Sequence, residues 1–205
     1  MYIEHLSKGK LETVKKNIKK ILFINSFFVF SQTMFLPLYA IYIQRIDQAV
    51  FHVGGIWSCY ILAYGLITFF ARKYLNNTEY SSNFMILNFC IKIIGWIGYI
   101  YVSELWSLYA IQILFAIGEA IGTPSYDLLY SINLTEGDYA TDWGLDKSVN
   151  AFITAAGAFI GGFIVHYFGF IILLIIMIFL STWSIILGLK LKNSLVRVNI
   201  TKSTF

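Results

Sequence analysis

The chain has 205 residues, is 58% hydrophobic and 13% charged, and has a mean hydropathy of +0.71. A water-soluble domain of this size cannot cover its surface with so few polar groups, so a soluble globular fold is excluded. The net charge of +4 is carried by the tails and by short segments between apolar runs, which is a membrane-protein pattern and gives no reason to expect a nucleic-acid partner.

In chain order, residues 1–20 form a basic tail whose stretch "KGKLETVKKNIKK" sets Leu11, Val14, Ile18 and Ile21 at helical spacing beneath lysines. That spacing fits a helix lying on an anionic lipid surface, and a plain positive anchor fits it equally well. Six apolar runs follow, at 21–43, 50–71, 84–102, 106–132, 149–168 and 170–191. Each is long enough to cross a bilayer. The last two are separated by little more than Gly169, and the pair is predicted as a hairpin because one continuous helix of roughly 40 residues would overshoot a core of ~30 Å. The first run is too long for a cleaved signal peptide and lacks a small-residue exit. The predicted fold class is therefore all-α, a polytopic bundle over 21–192 with a short tail at 193–205.

Thirteen of the fifteen Lys and Arg residues fall on one side of this topology, with Arg45 alone in an opposite loop and Lys92 inside the third run. Positive charge stays cytoplasmic, so both termini are expected inside a plasma or inner membrane. The sequons at Asn76, Asn133 and Asn199 then fall on the cytoplasmic side. Cys59 and Cys90 lie mid-span and read as small apolar fillers, and His52 and His166 as interfacial residues. No spacing suggests a metal or other cofactor, and no nucleophile elbow or phosphate loop suggests an enzyme.

Charges inside the spans carry the functional signal, because each is costly at bilayer depth unless it meets a partner or water. At ~1.5 Å per residue, Lys92 lies about 12 Å from the inner membrane face, Asp127 about 7 Å and Glu119 about 20 Å. Depth alone places Lys92 nearer Asp127, although its long stem reaches either acid. Gln112, Glu119, Thr123, Tyr126 and Tyr130 form one polar stripe at helical spacing, and Asn25, Gln32 and Tyr39 repeat at seven-residue intervals in the first span. Two such stripes, each with a proline (Pro37 and Pro124), would line a wet cavity or bond helix to helix. Gly118 and Gly122, and Gly157 and Gly161 with Gly162 beside them, make small faces for close helix packing.

"GEAIGTPSYDLLYS" (118–131), "TEGDYATDWGLDKSVN" (135–150) and "GAFIGGFIVHYFGF" (157–170), in that order, resemble the fourth span, following loop and fifth span of the major facilitator superfamily. The chain departs from the family at "GLITFFARKYLNN", which keeps Gly65, Arg72 and Lys73 but has no acid, and at its glycine motif, which has no proline. The resemblance implies a six-span half of a twelve-span fold, completed as a homodimer or with a second six-helix half. It implies a secondary transporter, or half-transporter, of a small solute working by alternating access, with proton coupling open. Glu119, Asp127, Lys92, Gln32, Tyr39, Gln112, Thr123 and Tyr126 are then the candidate contacts for solute or ion. The alternatives are a non-transporting membrane scaffold or accessory subunit, and a truncated or split transporter fragment.

Overall fold

The computed structural model describes the backbone of residues 2–202 and the side chains of residues 16–190. The elements are α1 (Tyr2–Phe35), a 3₁₀ turn (Leu36–Leu38), α2 (Tyr39–Gln44), α3 (Val50–Leu75), α4 (Thr78–Tyr101), α5 (Leu105–Ser131) and α6 (Tyr139–Lys202). No strand occurs among the described residues. Five helices are long and apolar enough to cross a membrane.

Helix ends follow local chemistry more than hydropathy. The run predicted over 21–43 is interrupted, because Pro37 lacks an N–H and its ring crowds the carbonyl four residues back; the backbone tightens into the 3₁₀ turn there and resumes as α2. Pro124 instead stays inside a continuous α5. The helix α4 begins six residues before the predicted run because the Asn77 side chain caps it, accepting from Glu79 N–H at 2.9 Å. The acidic segment between the fourth and fifth apolar runs is helical from Tyr139 onward. Of the basic tail, Leu11 and Val14 lie outside the described side chains, as does the tail 193–205; Ile18 and Ile21 are buried while Lys16 and Lys19 are exposed.

The apolar part of α6, Tyr139–Lys190, has 52 residues and would extend about 78 Å if straight. It is not straight. Gly169 breaks it with φ 80° and ψ 175°, a backbone region open to glycine and strained for other residues. Contacts on the two sides run in opposite directions along α1. Before the break, Gly157 meets Phe30 and Thr33, and Gly161 meets Met34. Beyond it, the Ser181 and Ser31 hydroxyls are 2.8 Å apart, and Ser184 donates to the Ile24 carbonyl at 2.6 Å. The limbs 139–168 and 170–202 therefore fold back on each other.

Packing is reciprocal between the two halves of the chain. Helix α1 packs against α6, and α5 against α3 and α4, while α4 and α6 also meet, as where Gly188 admits Ile86. Two apolar clusters close the ends of the bundle. One gathers Phe35, Tyr42, Trp96, Tyr99, Phe115 and Phe170 beneath the loop that carries Asp47. The other gathers Ile21, Phe28, Met85, Phe89, Leu129 and Tyr130 near Asp142. Polar groups and open space lie between them. By contrast, α3 buries only Ile56 and Leu75.

Candidate functional site

An ion pair occupies the middle of the bundle. Lys92 Nζ on α4 lies 2.8 Å from Glu119 Oε2 on α5, with the two side chains 4% and 24% exposed. The other carboxylate oxygen, Oε1, accepts from Thr123 one turn on at 2.7 Å. The ammonium also sits 4.8 Å from the Phe115 ring centre and 5.8 Å from that of Tyr60, where the ring faces attract it. At an effective dielectric of about 20 the Coulomb attraction at this distance is about 6 kcal/mol. Holding two charges at membrane depth costs about 3 kcal/mol each on insertion scales. Attraction and cost are of similar size, so the pair adds little net stability, while leaving either partner alone is costly.

The close approach of α4 and α5 depends on glycine. A Cβ at Gly118 would lie 2.8 Å from Asn88 Oδ1, and one at Gly122 would overlap the Asn88 carboxamide. The second glycine pair serves α1 in the same way, since a Cβ at Gly157 or Gly161 would strike Thr33 or the Met34 carbonyl. Gly162 departs from the expectation: it faces open space, being one residue, and so ~100° of helix, away from the Gly161 face.

Two cavities flank the pair. The first, of about 200 Å³, lies toward the Asp47 end and includes Gln32, Tyr39, Tyr60, Lys92, Trp96 and Gln112 in its wall. Here Gln112 Nε2 donates to Tyr39 OH at 2.7 Å and to Tyr99 OH at 3.0 Å, whereas the buried Trp96 indole N–H has no hydrogen-bond partner among the described residues. The second, of about 180 Å³, lies toward the Asp142 end and includes Asn25, Asn88, Glu119, Thr123, Asp127 and Asp146. Lys92 thus faces one cavity and Glu119 the other, and Val29 and Gln32 line both. The Asn25–Gln32–Tyr39 series runs along these walls, as its seven-residue spacing suggests.

Among the predicted residues, Lys92, Glu119 and Thr123 form one connected group, and Tyr39 and Gln112 a second. Tyr126 belongs to a third, donating to Asp146 Oδ1 at 2.5 Å; that carboxylate also accepts from Asn150 at 2.9 Å and lies 3.4 Å from Lys147. Depth did not select the partner of Lys92, which meets Glu119 and not Asp127. Eight residues separate the acids, so Asp127 is turned about 80° around α5 from Glu119. Asp127 is exposed and stands apart from all three groups. Pro124 lies on yet another face, beside Thr68 and Arg72 of α3.

Sequence reasoning passed over several of these groups. Asn88, one turn before Lys92, and Trp96, one turn after it, share its face; an i±4 search around the buried lysine finds both. Asp146 stands in a stretch with three other acids, Glu136, Asp138 and Asp142, whose composition suits solvent, yet it is 1% exposed. At the corner before α3, Asp47 Oδ1 lies 2.9 Å from His52 Nδ1 and accepts from Ala49 N–H at 2.8 Å, closing an Asx-type turn ahead of the helix. The contact with His52, with the Ala49 N–H bond adding to it, holds the Asp47 carboxyl below the ordinary aspartate range. Arg45 does not simply face water: it stacks 4.5 Å over Phe170, pinning the loop to the turn of α6. No family model, curated protein or solved structure matches this chain.

Proposed function

We propose that this chain is a six-span secondary transporter, or one half of one, of the major facilitator type, carrying a small solute across a cell membrane by alternating access with both termini cytoplasmic. The sixth span comes from dividing α6 at Gly169, and the orientation from the one-sided lysines. The observation that carries the reading is the position of the Lys92–Glu119 pair, whose two ends face two different cavities. A solute or proton that competes for either partner would open the contact between the cavities, which an assembly contact has no need to do. The exposed face of α3, with Trp57, Leu62, Leu66 and Phe70, supports a second copy or second half beside it.

The test is solute-driven current or pH change in liposomes holding the purified chain, across sugars, amino acids, amines and nucleosides at equal osmolarity. At least one solute should give a response that Glu119→Gln removes with yield and folding intact. A folded, inserted protein silent toward every solute would leave the alternative, a scaffold or accessory subunit whose polar groups serve assembly.

A further inference from the structure

The cavity toward the Asp47 end is built differently from its neighbour. Seven of the thirteen residues in its wall are aromatic, and Lys92 is the single charged one. The neighbouring cavity instead holds the carboxylates of Glu119, Asp127 and Asp146. The lysine end of the ion pair therefore offers a positive charge among rings. A cationic guest finds no counter-charge in this wall, whereas an anionic guest finds one that is 4% exposed.

The hydrogen-bonding groups of the wall are only partly used. An ammonium carries three N–H groups, and Glu119 is the one carboxylate that meets Lys92 among the described residues. The Tyr60 hydroxyl and the Gln32 carboxamide, both in this wall, have no hydrogen-bond partner among the described residues. Both N–H groups of Gln112, by contrast, are spent on Tyr39 and Tyr99. Position gathers the unused groups: Lys92 Nζ lies 5.8 Å from the Tyr60 ring centre and 4.8 Å from that of Phe115. An acid seated on this ammonium thus has its hydrocarbon part beside ring faces, where another ring packs well. A volume of about 200 Å³ sets the scale, since an apolar cavity of ~150 Å³ takes up benzene. One benzene-sized ring with a carboxylate is of that order.

From this we infer that the cavity is a binding site for a small aromatic monocarboxylate, its carboxylate on Lys92, Tyr60 and Gln32 and its ring among the aromatic side chains. The inference names the solute class for the carrier reading and rests on it only for transport; binding stands separately. The guest carboxylate takes the place of Glu119 at the ammonium, while Glu119 keeps Thr123 and its opening to the second cavity.

The experiment is equilibrium dialysis of the full chain in detergent against radiolabelled benzoate, with unlabelled competitors. Benzoate should bind saturably, and acetate, which lacks the ring, and benzyl alcohol, which lacks the charge, should compete at least about tenfold more weakly. Benzylammonium should not compete. Lys92→Met with Glu119→Leu, which removes the charge without stranding a partner, should abolish binding. Tyr60→Phe keeps the ring and should weaken binding about threefold or more. Glu119→Gln removes the competitor for Lys92 and should tighten benzoate, an effect that a purely structural ion pair has no reason to give. Absence of saturable binding, binding that survives the loss of Lys92, unchanged affinity in Tyr60→Phe and Glu119→Gln, or equal competition by benzylammonium would overturn the site. If Glu119→Gln abolishes flux of some solute while benzoate does not bind, the carrier stands and the aromatic-acid site falls. Benzoate bound through Lys92 in a protein without flux means the reverse.

Discussion

Lys92 and Glu119 were both legible as buried charges, but their pairing was not, because position along a helix gives depth and leaves rotation about the axis to packing. Their coupling can be measured. Lys92→Met leaves Glu119 unpaired, and breaking a buried pair costs about 3–5 kcal/mol. Because the carboxylate keeps 24% exposure, toward the cavity, we expect a loss at the lower end, about 3 kcal/mol. Replacing both, as Lys92→Met with Glu119→Leu, should recover most of that stability, to within about 1 kcal/mol of the parent, since apolar groups of similar volume substitute well for a buried pair. Unfolding in mixed micelles of rising SDS content decides it; a double variant as unstable as Lys92→Met alone would show that the two charges act independently. Asp47 gives a prediction in pH. Its carboxyl titrates below the usual range in the folded chain, so its contribution to the turn before α3 is present above about pH 4 and is lost as pH falls through the depressed folded value. His52→Ala should move that loss to higher pH, seen as earlier loss of exchange protection at the Ala49 amide on acidification.

Among the elements, the apolar runs located the helices and misplaced their ends, for a reason visible at Asn77 and Tyr139. Hydropathy marks where lipid begins, whereas a helix begins where its free N–H groups are satisfied. Asn77 does this for α4 six residues before the apolar run; at α6 the Asp138 carbonyl takes the Asp142 N–H at 3.0 Å, and the Asp142 carboxylate ties the preceding loop to the helix through the Thr135 N–H at 2.7 Å. The glycine motif was legible as a packing face, but the member that does not pack was hidden by the neighbouring symbols. Gly161→Ala drives a methyl into the Met34 carbonyl and should destabilise the bundle by about 1–3 kcal/mol, the usual range for overpacking. Gly162→Ala meets open space and should be neutral or stabilising by up to about 1 kcal/mol through helix propensity. Equal effects in the same SDS titration would mean that α1 and the first limb of α6 do not approach as closely as described. Gly169→Ala should cost about 1–2 kcal/mol, because φ is +80° there and a Cβ is strained in that region.

At the scale of the whole molecule, the bundle is held by two apolar plugs with polar groups between them, and the arrangement of its crossings depends on the turn at Gly169. The sequence suggested that turn only because a straight helix would be too long, and nothing local to "HYFGF" proves it; the opposed contacts of Gly157 and Gly161 with those of Ser181 and Ser184 along α1 supply the direction. The consequence can be checked without a known solute. In a background with Cys59 and Cys90, both free thiols, changed to alanine, single cysteines replace the half-buried Asp47 and the exposed Ser103, Phe168, Asn76 and Glu136. If α6 folds back at Gly169, positions 47, 103 and 168 share one membrane face, and 76 and 136 share the other. A membrane-impermeant maleimide added to intact cells should label the first three, while the last two react only after the cells are opened, because lysine-rich segments stay cytoplasmic. Position 168 reacting together with 76 and 136 would mean that residues 139–190 do not form a hairpin, and both the six-span count and the placement of the two cavities on opposite sides of the ion pair would have to be redrawn. Position 168 reacting with 47 and 103, on the face away from the lysines, is the outcome the fold requires.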